Sequence, residues 1–516
     1  PATAQQDEVI KYIIECIVTY IDAEGPPMRG ADKNQDMENE NGYEEGKCAG
    51  TGAPAPLKAE LLSLPAEGGG FAACDYVGPE MAAFCQADPE VLVETWLAEL
   101  LADRFRSGAK IDPKEYAAVI KRLLSAKMAE LTAESSPHPL CMFAVWKAVD
   151  ESQRLIIDGR PVNEYFTSPP YEFTCGEDLS NIQVQIGHLL QAAKCDLCDF
   201  FHCCEATDAL KRFFGLKGIP AVLLRNIGVE VPADCVDHRG LTYPRLTTWP
   251  MGFGPSPGIA QSAHECVLYG SAGQGSELAR QLAPVVAPEA RWSGLRVPSV
   301  DSPGATSPHA LIIDDLLLFR QVPLKAAHAK TPGVIASPPD HRIEVASSQD
   351  SAEQGTALET VLERYGHVGL RTKPSKVKDY DAVQDLVGHT LDHNVLRASS
   401  SRFAAIKNEV LRLLRCRWVR PRDIERLVGK LTNVMLLHRQ SLSIFNAVYA
   451  FCRTTSPEQP RRLWPSVRQE LSDAVALLPL FFWQSHLHAW LSAWLALSLR
   501  LLVVVVQEGA TSAPPA

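Results

Sequence analysis

The stretch His309-Ala310-Leu311-Ile312-Ile313-Asp314-Asp315-Leu316-Leu317-Leu318-Phe319 sets two adjacent carboxylates inside an otherwise unbroken apolar run. It reads as two buried strands that meet at a charged turn. Two like charges among apolar neighbours cost several kcal/mol unless something positive neutralises them. No Lys or Arg occurs in the run before Arg320. A divalent cation is the simplest neutraliser, and hard cations such as magnesium take oxygen ligands. A core strand ending at a solvated acidic turn would look the same, so the rest of the chain has to choose between them.

The chain has 516 residues, enough for roughly three domains that each bury a core. A formal net charge of -11 argues against a uniformly basic nucleic-acid binder. The sign is unevenly placed, however. Between Ser401 and Glu470 there are 14 Lys and Arg against 5 Asp and Glu, the electrostatic footprint of a phosphate-backbone contact. The 14 cysteines follow no regular framework and no signal-peptide pattern precedes them, so they read as mostly reduced and buried in an intracellular protein of cytoplasm or nucleus. The first residue is Pro1 rather than Met, as expected of a piece of a longer frame.

Along the chain, apolar spacing predicts one amphipathic helix over Asp7 to Asp22, followed by an acidic, Gly- and Pro-rich linker over residues 24–58. Two further helices are predicted, Val91 to Phe105 and Pro113 to Leu131. No chemical motif lies in this part. A hairpin is expected from strands Cys141 to Val149 and Arg154 to Asp158, with Lys147 and Arg154 flanking its turn. Such a pair suits a polyphosphate, because Arg offers a planar fork and Lys a point charge.

Lys194 to Cys204 invites a zinc reading through Cys195, Cys198, His202, Cys203 and Cys204. Strand geometry weakens it, since period two sends Cys195 and Cys198 to opposite faces. The Trp249 to Pro257 loop, punctuated by Pro and Gly, leads into a helical pattern over Gly258 to Tyr269, and its glycines would let backbone approach a flat ligand. Residues 270–308 read as an insertion and residues 321–353 as a loose stretch. Helices are expected at Ala357 to Tyr365, Ala404 to Cys416, Arg422 to Leu437 and Leu442 to Arg453.

Taken in order from about Cys141 to Arg453, these pieces resemble a reverse transcriptase of the retrotransposon type. The resemblance implies an α+β right-hand polymerase fold, with an antiparallel palm sheet, mixed fingers and a helical thumb. It implies fingers and palm over residues 139–400, a basic thumb or connection over 401–480, an N-terminal helical and linker region of unassigned role over 1–138, and an atypical apolar tail over 481–516.

In that family Lys147 and Arg154 would grip the triphosphate of an incoming deoxynucleotide. Asp196 would be the first metal-binding carboxylate, and Asp314 and Asp315 the paired carboxylates of the catalytic hairpin. Asp199 would lie where backbone meets the triphosphate, and Phe201 would be the ring that excludes a ribose 2'-hydroxyl. Met251 and Gly252 fall in the loop that packs on the nucleotide and template base. Lys376, in Gly369 to Lys376, would lie near the leaving pyrophosphate. Leu386 to Asp392 resembles the primer grip, and Arg422 to Phe451 the thumb. The implied cofactors are two magnesium ions, for which manganese would also serve, and the implied partners are an RNA or DNA template-primer duplex and deoxynucleoside triphosphates. No membrane partner is expected, and the oligomeric state is left open.

The sequence departs from the family in places. Ile312 stands where a Tyr is usual, Phe200 replaces a small residue and is expected to crowd the nucleotide pocket, and Met251 occupies an often polar position. No RNase H start follows the thumb; instead Leu487 to Val506 is almost long enough for a membrane span but contains Arg500. The tail after about residue 481 therefore reads as another frame or a decayed end. Two rivals accompany the polymerase reading: a catalytically silent nucleic-acid-binding relic of the same fold, and a zinc-stabilised interaction module centred on Cys195 to Cys204.

Overall fold

The structure, a computed structural model, describes residues 54–105, 111–147, 152–180, 182–185, 187–270, 284–286, 308–323, 357–386, 388–454, 456–478 and 482–484. All lie within the unit Gly52–Ala516. In chain order the strands are β1 (Pro54–Ala55), β2 (Ala129–Thr132), β3 (Cys141–Trp146), β4 (Gln153–Asp158), β5 (His188–Asp196), β6 (Ile219–Pro220), β7 (Leu241–Leu246), β8 (His309–Ile312), β9 (Asp315–Pro323), β10 (Lys378–Asp381), β11 (Val383–Leu386), β12 (His389–Asp392), β13 (Val395–Ala398) and β14 (Phe482–Gln484). The longer helices are α1 (Pro79–Gln86), α2 (Thr95–Ala102), α3 (Pro113–Ser125), α4 (Ser256–Tyr269), α5 (Ala357–Val368), α6 (Ser400–Arg415), α7 (Pro421–Met435), α8 (Asn446–Thr454) and α9 (Pro465–Leu477).

The central sheet runs β10-β5-β9-β8 and every pairing in it is antiparallel. Both of its faces are covered. Leu316 and Leu318 of β9 join one apolar cluster with Ala193 and Cys195 of β5, while Leu317 and Phe319 join another with Leu190 and Ala192. Period-two alternation into two cores explains why the run around Asp314 has no polar face. Three smaller antiparallel sheets surround it, β1-β3-β4, β2-β7-β6 and β11-β12-β13-β14. Helices α6 to α9 enclose a separate core that includes Ile406, Leu427, Val448, Phe451 and Leu471.

Several elements differ from the expected ones. The helix expected over Val91 to Phe105 is regular only across α2, with single 3-10 turns on either side. Asp112 caps α3 by accepting from the Lys114 and Glu115 amides. That helix stops at Ser125 instead of Leu131, because Lys127 turns at φ +56° and the following residues pair with β7 as β2. Residues 401–480 hold a fourth helix, α9, which the periodicity did not isolate.

The apolar tail begins as a strand: β14 pairs with β13, Val395 opposite Gln484. Cys74 and Cys85 form a disulfide with Cα atoms 5.8 Å apart, an exception to the expectation of mostly reduced cysteines, and ten other cysteines among the described residues are free. The Asp7 to Asp22 helix, the linker up to residue 53, most of the 270–308 insertion, residues 324–353 and the tail beyond Gln484 lie outside the described residues. Among the described residues no helix is long and apolar enough to cross a membrane.

Candidate active site

Strand register brings the carboxylates to one end of the central sheet. Asp196, the last residue of β5, is the direct partner of Asp315, the first of β9. Directly opposed antiparallel residues have Cα atoms about 4.5 to 5.5 Å apart and share a face of the sheet. Ile312 pairs with Asp315 as well, so Ile313 and Asp314 form the two-residue turn between β8 and β9. Beyond Asp196, the Leu197 amide donates to the Asp314 carbonyl at 3.0 Å, and the Cys198 amide donates to the Arg371 carbonyl at 2.7 Å. The segment that ends at Lys376 is thus laced to the same corner, and the Lys376 ammonium is ion-paired with the Asp196 carboxylate.

Burial dominates the electrostatics. It raises the Asp314 carboxyl, with help from the neighbouring Asp315 charge and against the pull of Arg154, to about 6. Burial also raises Asp315, partly offset by Lys194. Lys376 is lowered by burial and by the charges of Lys194, Arg154 and Lys147. Lys194, Arg154 and Lys147 thus each lie close enough to act on Lys376, which is itself paired with Asp196. Mutual repulsion of this kind is relieved by a polyanion bound among them.

The hairpin β3-β4 carries two of those cations. Arg154 is the register partner of Val145, and Lys147, two residues on, donates its amide to the Ser152 carbonyl at 3.0 Å. Period two then places Lys147 and Arg154 on one face. The Lys147 ammonium is held by Ser63 Oγ at 2.5 Å.

Asp199 is exposed, turns at φ +51°, and starts the short helix Phe200–Cys203. Phe201 is partly buried beside it. Phe200 does not crowd a pocket as expected. Its ring is buried, 6.1 Å from Phe71 and 5.7 Å from His264, so it fills core.

In the 249–257 loop, Gly252 packs directly on protein backbone. Gly252 has φ +127°, and a Cβ there would meet the Ile157 carbonyl at 2.3 Å. A Cβ on Gly159 would meet the Gly252 carbonyl at 2.2 Å. Asn163 finishes the junction, donating to the Gly252 carbonyl at 3.0 Å and accepting from the Gly254 amide at 2.7 Å. Met251 accepts from the Ile157 amide at 3.3 Å, which docks the loop on the end of β4.

For metal chemistry the donors suit a hard divalent cation, being carboxylate oxygens that strand register brings to one end of the sheet. They are not grouped as a finished cage, because among the described residues no three His, Cys, Asp or Glu side chains are arranged to hold an ion. The zinc reading finds no such group either. Cys195, Cys203 and Cys204 are buried in the core, and Cys198 lies near Asp199 with Sγ 3.3 Å from Oδ2.

Sequence reasoning missed Gln261, His264 and Tyr365, which bind the Ile313 turn or one another, and Lys194. The available signal was a Gln and a His three apart among the mostly apolar buried residues of α4. A cavity of about 430 Å³ lined by Tyr165, Lys211, Arg212 and Phe213 among others contains none of the expected site residues.

No protein-family model matches the sequence. No curated protein matches it either. Among solved structures, the foamy viral protease-reverse transcriptase dRH bound to double-stranded DNA is 13% identical, aligns over 72% of this chain and 49% of its own, and has a TM-score of 0.43. The same viral protein with an RNA/DNA hybrid gives 13% identity, 72% and 38% coverage and a TM-score of 0.42. With double-stranded DNA it gives 14%, 72%, 59% and 0.42. The chain thus spans between 38% and 59% of these structures. Likeness of this degree carries no weight for the function, which rests on the residues.

Proposed function

We propose that the chain is an RNA-directed DNA polymerase, adding deoxynucleotides to a primer 3'-hydroxyl on an RNA or DNA template. The observation that supports this reading is the register of Asp196 on Asp315, with Asp314 in the adjoining turn and Lys147, Arg154, Lys194 and Lys376 within electrostatic reach. Under it, the central sheet is the palm, the β3-β4 hairpin belongs to the fingers and α6 to α9 form the thumb. Asp196, Asp314 and Asp315 would hold two magnesium ions, or manganese, whose bound charge activates the attacking hydroxyl and stabilises the leaving oxygens.

The chain's own groups do the rest. Lys147 and Arg154 hold the triphosphate, with the Asp199 turn presenting backbone to it. Lys376 gives up Asp196 and takes a phosphate oxygen near the departing pyrophosphate. The Phe201 ring fills the space that a 2'-hydroxyl would need, while Met251 and Gly252 fix the loop against the base pair. Base pairing reads the template, so phosphate contacts rather than base-edge contacts supply affinity.

A second reading has support too. The Lys376 ion pair on Asp196 and the lack of a three-ligand group among the described residues are what a silent, template-binding relic would have. Primer extension separates the two, using poly-A RNA, oligo-dT, magnesium and dTTP with the wild-type chain and Asp314→Asn. Extension by the wild type, with a loss of at least about a hundredfold in the variant, is the expected outcome. Template binding without extension by either protein would leave the relic.

A further inference from the structure

Ile313 holds the carboxylate turn at φ +56°, a region that a β-branched residue seldom enters. Its two backbone polar groups are both taken by side chains from α4. The Ile313 amide donates to Gln261 Oε1 at 2.7 Å, and the Ile313 carbonyl accepts from His264 Nδ1 at 2.7 Å. Three residues apart on one helix face, Gln261 and His264 are 3% and 0% exposed.

Further bonds fix these two. Gln261 Nε2 donates to the Leu311 carbonyl at 3.2 Å and to Glu265 Oε1 at 2.8 Å. Tyr365 of α5 is buried with its hydroxyl 2.6 Å from His264 Nε2. A carbonyl only accepts, so His264 carries its proton on Nδ1, and Nε2 accepts from the Tyr365 hydroxyl. Each polar atom in the chain has one consistent role.

We propose that Gln261, His264 and Tyr365 form a buried clamp that keeps Ile313 left-handed in the turn before Asp314 and so positions Asp314 and Asp315. They are positioning residues and touch no reacting atom. A strained backbone persists where its surroundings over-determine it, and here both amide groups of the strained residue are gripped from one helix. Buried Gln and His on an apolar helix are costly unless paired, and the pairing found is with this turn. The helix also continues directly from the Met251-Gly252 loop, so one rigid element carries both the loop and the grip on the carboxylates.

The role of the carboxylates rests on the polymerase reading; the clamp itself does not. Its test is therefore read twice on the full chain, by hydrogen exchange of the 309–319 hairpin and by steady-state extension. Gln261→Leu and His264→Leu are expected to exchange roughly tenfold faster in that hairpin, with other protected segments unchanged. Their kcat should fall about tenfold to a hundredfold at unaltered KM for dTTP. His264→Asn, whose Nδ2 replaces Nδ1, should retain most protection and rate. Adding Ile313→Gly to Gln261→Leu should restore part of kcat, because glycine holds positive φ without help.

Wild-type exchange and kcat in folded leucine variants would overturn the clamp. Should those variants not fold, Tyr365→Phe decides by the same readouts: a faster hairpin upholds the clamp, and wild-type exchange overturns it. A wild-type chain that extends no primer would sink the polymerase reading alone, and the exchange result would still uphold or overturn the clamp.

Discussion

Asp314 and His264 show how burial sets chemistry residue by residue. Asp314 is raised to about 6, so the folded chain binds more protons than the unfolded one between about pH 4 and 6, and stability falls as pH rises through that window. His264 is lowered from 6.5 to about 4 by burial, with the positive field of His309 a smaller cause and the Ile313 carbonyl opposing. For the histidine the unfolded chain takes the proton first. Its contribution to stability is full above about pH 6.5 and is lost as pH falls toward 4. Phe200, Tyr365 and Ile313 face the ring, and the two residues' slopes oppose each other over most of the range. Urea unfolding of wild type and His264→Asn from about pH 4.5 to 7.5 isolates the histidine. The variant's deficit should shrink as pH drops, and a deficit independent of pH would refute the assignment. Asp314 and Asp315 were legible in the sequence because two charges in an apolar run demand explanation. Gln261 and His264 were not, because their partner is the backbone of a residue about fifty positions away.

At the scale of elements, α9 joins the helical layer through two charged residues. Glu470 is buried and accepts from the Ala447 and Val448 amides at 2.8 Å each, supplying the first turn of α8 with a carboxylate. Arg468 donates to the Leu414 carbonyl and, at 3.1 Å, to the Cys416 carbonyl, closing the end of α6. Glu470→Ala should therefore cost about 1 to 3 kcal/mol, seen as a lower midpoint in chemical denaturation, with Glu470→Gln recovering part of it. An unchanged midpoint would mean that water replaces the carboxylate. The loop at Gly252 makes a complementary case. Gly252→Ala places a Cβ on the Ile157 carbonyl at positive φ, so it should destabilise the β4 junction, seen as a lower midpoint in chemical denaturation. The helices of this layer were mostly readable from apolar spacing. Helix α9 and strand β2 were not, since the first is tied by Glu470 and Arg468 to helices α8 and α6 and the second depends on a partner strand far along the chain.

For the whole molecule, charge is segregated rather than balanced. A chain of net charge -11 carries an excess of 14 basic over 5 acidic residues between Ser401 and Glu470. Arg412, Arg415 and Arg417 are exposed there, near the exposed Trp418, over whose ring Arg462 lies at 5.5 Å. If this layer holds a duplex, the affinity for template-primer falls with salt through counterion release. Replacing Arg412, Arg415 and Arg417 with Gln should reduce the slope of log K against log salt by roughly two to three units, while leaving the unfolding midpoint nearly unchanged. A slope equal to that of the wild type would move the duplex to another surface.

By itself the sequence determined the kind of elements and the charged turn: alternation and helical spacing are local properties, and an Asp-Asp pair in an apolar run is visible without a fold. It also placed Lys147 and Arg154 on one hairpin, because strand period and turn residues are short-range. Only the tertiary structure decided which atoms meet. Antiparallel register put Asp196 opposite Asp315, Lys376 came to rest on Asp196, and Phe200 turned into the core. Those outcomes depend on contacts between residues more than a hundred positions apart, whose pairing is set by how two cores fill on either side of one sheet.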